Sequence, residues 1–314
     1  MTTFVLHRSI HLAPISMKNF KDKTCVITGA ASGFGREFAI EAAARGMKLV
    51  LADIAAEPLE KTIAEMKALG ASVVGHRCDV SNGAEVEALA ELVFSTFGGV
   101  HLLFNNAGVG SGGLLWENTE KDWQWVLGVN LWGVIHGVRA FVPRMLAQAK
   151  TEAGYDGYVV NTSSMAGLLS PQLMGAYNVS KHAVVALSET LYHDLATVDA
   201  PIGCSVLCPA FVPTGISKSH RARPAELLNE SAATESMKTA QSMIHKAVSS
   251  GRLTAADVAK ITFDAIEAKQ FYIITHQKIM ATVQMRLDDI AKQQNPRDPF
   301  ELESKNRPKV GSGG

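Results

Sequence analysis

The 314-residue chain is predicted to fold as an α/β protein with one doubly wound, parallel sheet, and three observations favour this fold class. Short apolar runs rich in β-branched residues alternate with longer stretches of helical periodicity. These apolar runs are nearly continuous, as in strands that are buried on both faces of a sheet. A glycine-rich turn follows the first apolar run and opens the first helical stretch, which is typical of a strand–turn–helix unit that approaches phosphates.

Seven strands and at least five long helices are predicted. In chain order the strands are Thr24–Thr28, Lys48–Ala52, Ser72–Cys78, Val100–Asn105, Gly157–Thr162, Ile202–Leu207 and Phe271–Thr275. The helical stretches are Gly33–Arg45, Pro58–Leu69, Ala84–Phe97, Thr119–Gln148 and Ala176–Val198. Because the crossovers between parallel strands are right-handed, the carboxyl ends of the strands share one edge, where a ligand crevice is expected.

Residues 20–295 are predicted to form a single catalytic domain, between an N-terminal arm (1–19) and a C-terminal tail (296–314). The arm has two alternatives: it is an oligomer contact, or the true start is Met17. From 213 to 251 the strand rhythm stops, and residues 232–248 have only a weak helical pattern. A long excursion after the carboxyl end of a strand is the expected place for an active-site lid. The alternative is a solvated insertion that packs its methionines on the body.

The composition excludes several classes of protein. A hydrophobic content of 47% excludes a disordered chain, and 30 basic residues balance 30 acidic ones without a basic stripe, so no nucleic-acid partner is expected. No apolar run approaches the ~18 residues that cross a membrane, so no membrane partner is expected either. The cysteines lack metal-ligand spacing and are interpreted as buried thiols of a cytoplasmic protein without a metal site. They are Cys25, Cys78, Cys204 and Cys208.

The glycine-rich turn predicts a dinucleotide cofactor. Gly29, Gly33 and Gly35 lie between a strand and a helix, where missing side chains let backbone amides approach a pyrophosphate. Asp53 ends the second strand, eighteen residues after Gly35, and can accept hydrogen bonds from the adenosine ribose. A carboxylate there repels a 2′-phosphate, so NAD is predicted in preference to NADP. Arg36 is the one nearby base that would favour NADP.

The third and fourth strands end in further candidate cofactor residues. Asp79 follows the third strand, where its carboxylate can bond the adenine amino group. Asn105–Gly108 ends the fourth strand with small and amide-bearing residues that let the chain pass close to a flat ring. Taken alone, this segment also reads as an ordinary turn.

Tyr177 and Lys181 are the most informative pair in the chain. They are four residues apart in a predicted helix, so they are neighbours on one face. A cation beside a tyrosine stabilises the phenolate and lowers a pKa that is normally ~10. Such a tyrosine can exchange protons with an alcohol near neutral pH. Ser164 lies thirteen residues before Tyr177 and is the candidate partner, although Ser164 taken alone also fits a helix cap and Ser163 is adjacent.

These motifs closely resemble the short-chain dehydrogenase/reductase family over residues 20–275. The resemblance implies a single-domain Rossmann-type sheet with the strand order 3-2-1-4-5-6-7, and commonly a homodimer or homotetramer. One departure is Ala210, where the family usually has glycine after proline. The segments Gln284–Arg286 and Asn295–Pro296 resemble a bacterial subgroup that includes aryl alcohol dehydrogenases of lignin-fragment breakdown. The motifs that carry the family resemblance are Thr28–Gly35, Asp79, Asn105–Gly108, Asn130, Ser164, Tyr177, Lys181 and Pro209–Thr214.

The resemblance implies a catalytic tetrad of Asn130, Ser164, Tyr177 and Lys181. Tyr177 takes the alcohol proton while hydride passes to the nicotinamide, and Ser164 bonds the same substrate oxygen. Lys181 lowers the tyrosine pKa and bonds the nicotinamide ribose, and Asn130 holds a water that links Lys181 to solvent. Further cofactor-binding positions implied by the resemblance are Ser32, Phe34, Val80, Asn106, Ala107, Gly108, Pro209, Val212 and Thr214.

The candidate substrate-binding residues are apolar. They come from the loop after the fourth strand, from both sides of the serine–tyrosine segment and from the lid region, and they are Trp116, Met165, Met174 and Phe211. Such a pocket suits a bulky hydrophobic or aromatic secondary alcohol, or its ketone, better than a sugar.

Three functions compete at this point. The first is an NAD-dependent alcohol dehydrogenase that acts on a small-molecule alcohol or ketone. The second is an NADP-dependent carbonyl reductase, which would need Arg36 or another base at the 2′-phosphate. The third is a non-catalytic regulatory protein that senses NAD, and it would be free to lose Tyr177 or Lys181. The helical stretches Thr119–Gln148 and Ala176–Val198 are long enough to pack between subunits, as the family resemblance implies.

Overall fold

The computed structural model describes residues 17–300, which contain one parallel sheet. Its strand order is β3-β2-β1-β4-β5-β6-β7, so the predicted fold class and topology are confirmed. All seven strands were predicted to within two residues at each end. The strands are β1 Thr24–Thr28, β2 Lys48–Asp53, β3 Val73–Arg77, β4 Leu102–Asn105, β5 Gly157–Thr162, β6 Ile202–Cys208 and β7 Tyr272–Ile274.

Nine α-helices accompany the sheet in the described residues. Two of them, α8 and α9, were not predicted, and α4 joins α5 through a π-helical turn at Gly128–Trp132. The helices are α1 Gly33–Ala44, α2 Ala56–Ala68, α3 Gly83–Phe97, α4 Glu120–Leu127, α5 Gly133–Ala149, α6 Gly175–Thr197, α7 Glu235–Ser249, α8 Ala255–Glu267 and α9 Met280–Ala291.

The core lies on both faces of the sheet. On one face α1, α2 and α8 pack on the strands, with Phe38 stacked on Phe104 at a ring-centroid distance of 4.4 Å. On the other face α3, α5 and α6 cover the same strands. Met17 and Phe20 belong to the first cluster, so packing begins before residue 20, the predicted start of the domain. Most of the predicted arm (1–16) and of the predicted tail (301–314) lies outside the described residues.

The helical stretch from Glu120 to Ala149 needs a separate comment. Within residues 17–300 it is long and apolar enough to cross a membrane, with a mean hydropathy of 1.3. The prediction counted uninterrupted apolar runs and did not single it out. Trp125, Phe141 and Met145 are buried in the body, as in the core helix of a globular domain. The stretch is therefore weak evidence for a membrane segment.

The segment between β6 and α8 lies over the carboxyl edge of the sheet. It contains the 3₁₀ helices Gly215–Ala222 and Ala225–Leu227 and the helix α7, where only a weak helical pattern was predicted. The Ser219 hydroxyl accepts a bond of 2.9 Å from the Gly110 N–H, on the loop that follows β4. The segment thus bridges the crevice from the β6 side to the β4 side.

Candidate active site

A cavity of about 530 Å³ lies at the carboxyl ends of the strands and collects most of the predicted site residues. Gly35, Asn130 and Trp116 are the predicted residues that do not line it. Those that line it are Gly29, Ser32, Gly33, Phe34, Asp53, Asp79, Val80, Asn106, Ala107, Gly108, Ser164, Met165, Met174, Tyr177, Lys181, Pro209, Phe211, Val212 and Thr214.

The glycine turn packs too closely for side chains. Gly29 has a φ of +66°, and a Cβ atom on it would lie 2.8 Å from the Ala107 Cα. A Cβ atom on Gly35 would collide with the Gly29 carbonyl, which explains why Gly35 matters without lining the cavity. The Asn106 amide donates to the Thr28 carbonyl at 2.9 Å and fastens the two loops together. Bare backbone at the start of α1 suits a cofactor pyrophosphate.

Asp53 lies at the cavity wall beside this turn. Its carboxylate accepts bonds of 2.9 Å from the Ala31 and Ala55 N–H groups, which hold it in place. Burial raises the pKa of Asp53, although these backbone bonds act in the opposite direction. Arg36, the base that would favour NADP, pairs with Glu65 and Glu37 and does not line the cavity.

Asp79 lines the cavity further along the same edge. One of its carboxylate oxygens accepts bonds from the Ser81 N–H at 2.9 Å and the Ser81 hydroxyl at 2.7 Å. This oxygen is therefore held by the turn that leads into α3.

Ser164, Tyr177 and Lys181 meet where β5 ends and α6 begins. The Ser164 hydroxyl caps the 3₁₀ turn Met165–Gly167 by accepting from the Ala166 N–H at 3.2 Å. The Lys181 ammonium lies 5.7 Å from the centroid of the Tyr177 ring and donates to the Thr162 carbonyl at 3.0 Å. Two hydroxyls and an ammonium thus share one wall of the cavity.

The sequence predicted a lowered pKa for Tyr177, but in the structure this pKa is raised. Burial raises the pKa of Tyr177, and the hydrogen bond from Ser164 opposes this rise. Burial also lowers the pKa of Lys181 to about 8. The reason is that both groups are almost fully enclosed, so desolvation penalises the phenolate and the ammonium alike.

The two adjacent serines have different partners. The Ser163 hydroxyl donates to the Lys181 carbonyl at 2.8 Å and joins β5 to α6. Ser164 is the serine that bonds Tyr177. Ser164 therefore fits the catalytic position and Ser163 a structural one.

Asn130 lies in the π-helical turn and is fully buried. Its side chain accepts from the Val109 N–H at 2.8 Å and donates to the Val109 carbonyl at 2.9 Å and to Ser180 at 3.1 Å. A Cβ atom on Gly108 would lie 3.5 Å from both the Asn130 Oδ1 and the Lys181 Nζ. Asn130 therefore fixes the loop after β4 against α6, close to the lysine.

The apolar end of the cavity contains three of the four predicted substrate residues. Trp116 lies outside it and is 79% exposed. Ile244 was part of the weak apolar pattern, whereas Trp125, inside a helix, carried no sequence signal. The apolar residues that line this end are Met165, Met174, Phe211, Trp125, Leu227 and Ile244.

No group of three or more His, Cys, Asp or Glu side chains within residues 17–300 is arranged to hold a metal ion. The four cysteines are free and buried.

Comparisons with known proteins agree with this geometry. The family model described as short chain dehydrogenase matches residues 23–225, more than half of the chain. A crystal structure of a short chain dehydrogenase/reductase from Burkholderia phymatum in complex with NAD is 56% identical, with a TM-score of 0.88. The similarity covers 91% of this chain and 100% of that one.

Two curated relatives are more distant. The CLA biosynthesis dehydrogenase/reductase of Lactiplantibacillus plantarum is 34% identical over 87% of this chain and 95% of its own length. The C alpha-dehydrogenase of Sphingobium sp. is 38% identical over 67% of each chain. With the sheet, the glycine turn and the serine–tyrosine–lysine wall in place, the chain belongs to the short-chain dehydrogenase/reductase family, whose members are NAD(P)-dependent oxidoreductases acting on CH–OH groups.

Proposed function

We propose that the protein interconverts a bulky apolar or aromatic secondary alcohol and its ketone, with NAD as the cofactor. The observation that carries the proposal is the common cavity of the glycine turn, the Ser164–Tyr177–Lys181 wall and an apolar end. The residues for proton exchange and those for cofactor binding therefore line the same cavity.

The chain's own residues supply the proton chemistry. In the oxidation direction the deprotonated Tyr177 oxygen accepts the proton of the substrate alcohol; burial opposes this deprotonation, and the Ser164 hydrogen bond favours it. The Ser164 hydroxyl donates its one proton to the tyrosine oxygen or, with substrate bound, to the substrate oxygen, and stabilises the negative charge on the oxygen that accepts it. The Lys181 ammonium, 5.7 Å from the Tyr177 ring centroid, also stabilises that charge. When bound, the nicotinamide supplies the acceptor for the hydride.

The preference for NAD rests on Asp53. Its carboxylate lines the cavity and is held by two backbone N–H groups, so it faces the place of the adenosine ribose as a fixed acceptor. Arg36 is engaged by two glutamates, so the base that the NADP-dependent alternative would use is already paired. The similar Burkholderia structure, which was solved in complex with NAD, supports the same choice.

The substrate class rests on the side chains at the far end of the cavity, which are thioethers, aromatic rings and aliphatic groups. These groups favour a hydrocarbon or aryl body next to the reacting hydroxyl. We further propose a homodimer or homotetramer, and a cytoplasmic location, which suits four free thiols.

The test is nicotinamide absorbance after mixing the protein with NAD or NADP and a panel of secondary alcohols, from small aliphatic to aryl and steroid alcohols. We expect reduction of NAD with the bulky members.

Tyr177→Phe should lower kcat by at least about a thousandfold while the Kd for NADH stays within about twofold, because the ring remains and only the proton acceptor is lost. Asp53→Ala should weaken NAD binding and ease entry of NADP.

Three results would contradict parts of the proposal. Retained turnover in Tyr177→Phe would remove the acid–base assignment. An unchanged NAD/NADP ratio in Asp53→Ala would place the discrimination elsewhere. NAD binding without turnover of any alcohol or ketone would favour the sensor alternative.

A further inference from the structure

The 3₁₀ helix Gly215–Ala222 covers the cavity with two of its three faces. A 3₁₀ helix repeats every three residues, so side chains at i and i+3 lie directly above each other. Gly215, Lys218 and Arg221 form one such row, and all three line the cavity. The row of Ile216, Ser219 and Ala222 lines it as well, whereas Ser217 and His220 do not. The helix therefore presents a row of two cations to the cavity.

These two cations have no counter-ion in the structure. Lys218 and Arg221 are exposed, and within residues 17–300 neither forms an ion pair or a hydrogen bond. By contrast, Arg223, two residues beyond, pairs with Asp122 at 2.6 Å. Two unpaired cations side by side repel each other, and a bound anion relieves that repulsion.

The row begins next to the glycine turn. A Cβ atom on Gly33 would lie 3.4 Å from the Thr214 Cβ, so the start of the 3₁₀ helix adjoins the start of α1. Lys218 lies one 3₁₀ turn further, about 6 Å along the axis, and Arg221 lies about 12 Å along it. Lys218 also lines a second cavity of about 420 Å³ together with Gly33 and Thr214. The lysine thus borders the place of the cofactor phosphates from two sides.

The other charges around the cavity leave a diphosphate without a cationic partner. Asp53 and Asp79 are acidic, and the Lys181 ammonium is engaged by the Thr162 carbonyl beside Tyr177. At the glycine turn the groups that can face an anion are uncharged: backbone N–H groups, the Ser32 hydroxyl and the positive end of α1.

We propose that Lys218, with Arg221 behind it, binds the pyrophosphate of the dinucleotide from the lid side. This inference rests on the proposed function and adds a cofactor contact that is made by the segment over the crevice. Because the same 3₁₀ helix is fastened to Gly110 through Ser219, a bound diphosphate also holds the lid segment closed.

The test measures binding and requires no turnover. The Kd values of NADH, ADP-ribose and adenosine are determined by calorimetry and fluorescence for the intact protein, Lys218→Met, Arg221→Met and Lys218→Arg. We expect Lys218→Met to raise the Kd of NADH and ADP-ribose about tenfold, and Arg221→Met about threefold, with no change for adenosine. Lys218→Arg should restore most of the affinity. The Kd of ADP-ribose should also depend less steeply on salt in Lys218→Met.

The matched control is Lys238→Met, an exposed lid lysine that pairs with Glu235 at 2.6 Å and does not line the cavity. It should leave all three Kd values unchanged. An effect of Lys218→Met below twofold, or an equal loss of adenosine binding, would overturn the inference. The inference would also be overturned if Lys218→Met left the Kd of NADH unchanged but raised the KM for alcohols that carry an acidic group. If the unaltered protein bound neither NADH nor ADP-ribose, the proposed function would fall as well.

Discussion

The Lys181 side chain is the clearest case of a residue that suits catalysis but lowers the stability of the fold. It is 2% exposed, and its ammonium donates to one protein acceptor, the Thr162 carbonyl. Burial lowers the pKa of Lys181 to about 8, which means that keeping the charge inside the fold is costly. A structural role would favour an apolar residue here, so its presence supports the role in proton transfer.

We therefore expect Lys181→Met to stabilise the cofactor-free protein at pH 7 while abolishing most activity. The folded-state pKa of about 8 lies below the unfolded value of about 10.5, so the unfolded chain binds more protons between these values. The cost of the charge is fully present below pH 8 and disappears as the pH rises towards 10.5. The gain in unfolding free energy should be on the order of 2 kcal/mol at pH 7, because the unpaired Thr162 carbonyl offsets part of the relief.

Urea unfolding at pH 7 and at pH 10 measures this difference. Lys61→Met is the control, because Lys61 forms an exposed pair with Glu57 and should change stability little at either pH. A Lys181→Met variant that is less stable than the parent at pH 7, or a gain that is the same at both pH values, would contradict the expectation.

The site residues could be predicted from the sequence where their separation along the chain decides whether they lie together. Tyr177 and Lys181 are one helical turn apart, and Ser164 lies two residues after β5, so sequence reasoning brings them to one edge of the sheet. The direction of the Tyr177 pKa was not predictable in this way, because burial depends on contacts from distant parts of the chain. Trp116 was assigned to the pocket from its loop alone and is 79% exposed.

At the scale of elements, α4 and the segment 213–251, which we propose to be a lid and call the lid segment, are joined by a buried ion pair. Asp122 and Arg223 approach to 2.6 Å, with side chains that are 8% and 10% exposed. Asn229 also donates to Asp122 at 3.0 Å, and the Arg223 guanidinium lies 5.0 Å from the Trp125 ring centroid. Burial alone would raise the pKa of Asp122, but bonds from Thr119, Arg223 and Asn229 outweigh it and lower the pKa. The pair therefore anchors the lid segment beside the apolar end of the cavity.

Asp122→Asn should loosen this anchor because it leaves the Arg223 charge buried without a counter-ion. We expect a loss of about 3 kcal/mol in unfolding free energy at pH 7. The lowered pKa of Asp122 means that its contribution is present above the unfolded value of about 3.8 and is lost as the pH falls through the folded value. Urea unfolding at pH 7 and pH 3.5, with limited proteolysis of residues 213–251, measures both effects.

Lys121→Met is the matched control, since the neighbouring Lys121–Glu230 pair also joins α4 to this segment but is exposed. It should cost less than about 0.5 kcal/mol. Equal losses in both variants, or unchanged proteolysis in Asp122→Asn, would argue against a buried anchor.

The sequence predicted the elements of the sheet better than those of the lid. Apolar, β-branched runs identify β1 to β7 locally because buried parallel strands have few polar residues. The π-helical turn and the 3₁₀ row of Lys218 and Arg221 have no such local signature, since they depend on Asn130 bonding Val109 and on Ser219 bonding Gly110. Only the folded chain brings those partners together.

At the scale of the whole molecule, an apolar surface remains beside the site. Trp132 and Val179 are each 48% exposed. They lie on neighbouring elements, because Asn130 in the π-helical turn bonds Ser180, the residue after Val179. Adjacent exposed apolar groups on long helices are typical of a symmetric subunit interface.

We expect that this surface, defined by Trp132 and Val179, forms the homo-oligomer contact. Trp132→Glu and Val179→Glu should each lower the molar mass to that of a smaller assembly, as measured by size-exclusion chromatography with light scattering. In a symmetric interface each substitution places the new glutamates of two subunits close together, and their like charges repel. Circular dichroism should stay unchanged, since both side chains are half exposed. Leu69→Glu, at a 60% exposed apolar position on another helix, should leave the mass as it is. A parent protein that is monomeric, or variants that keep the full mass, would show that this surface has another role.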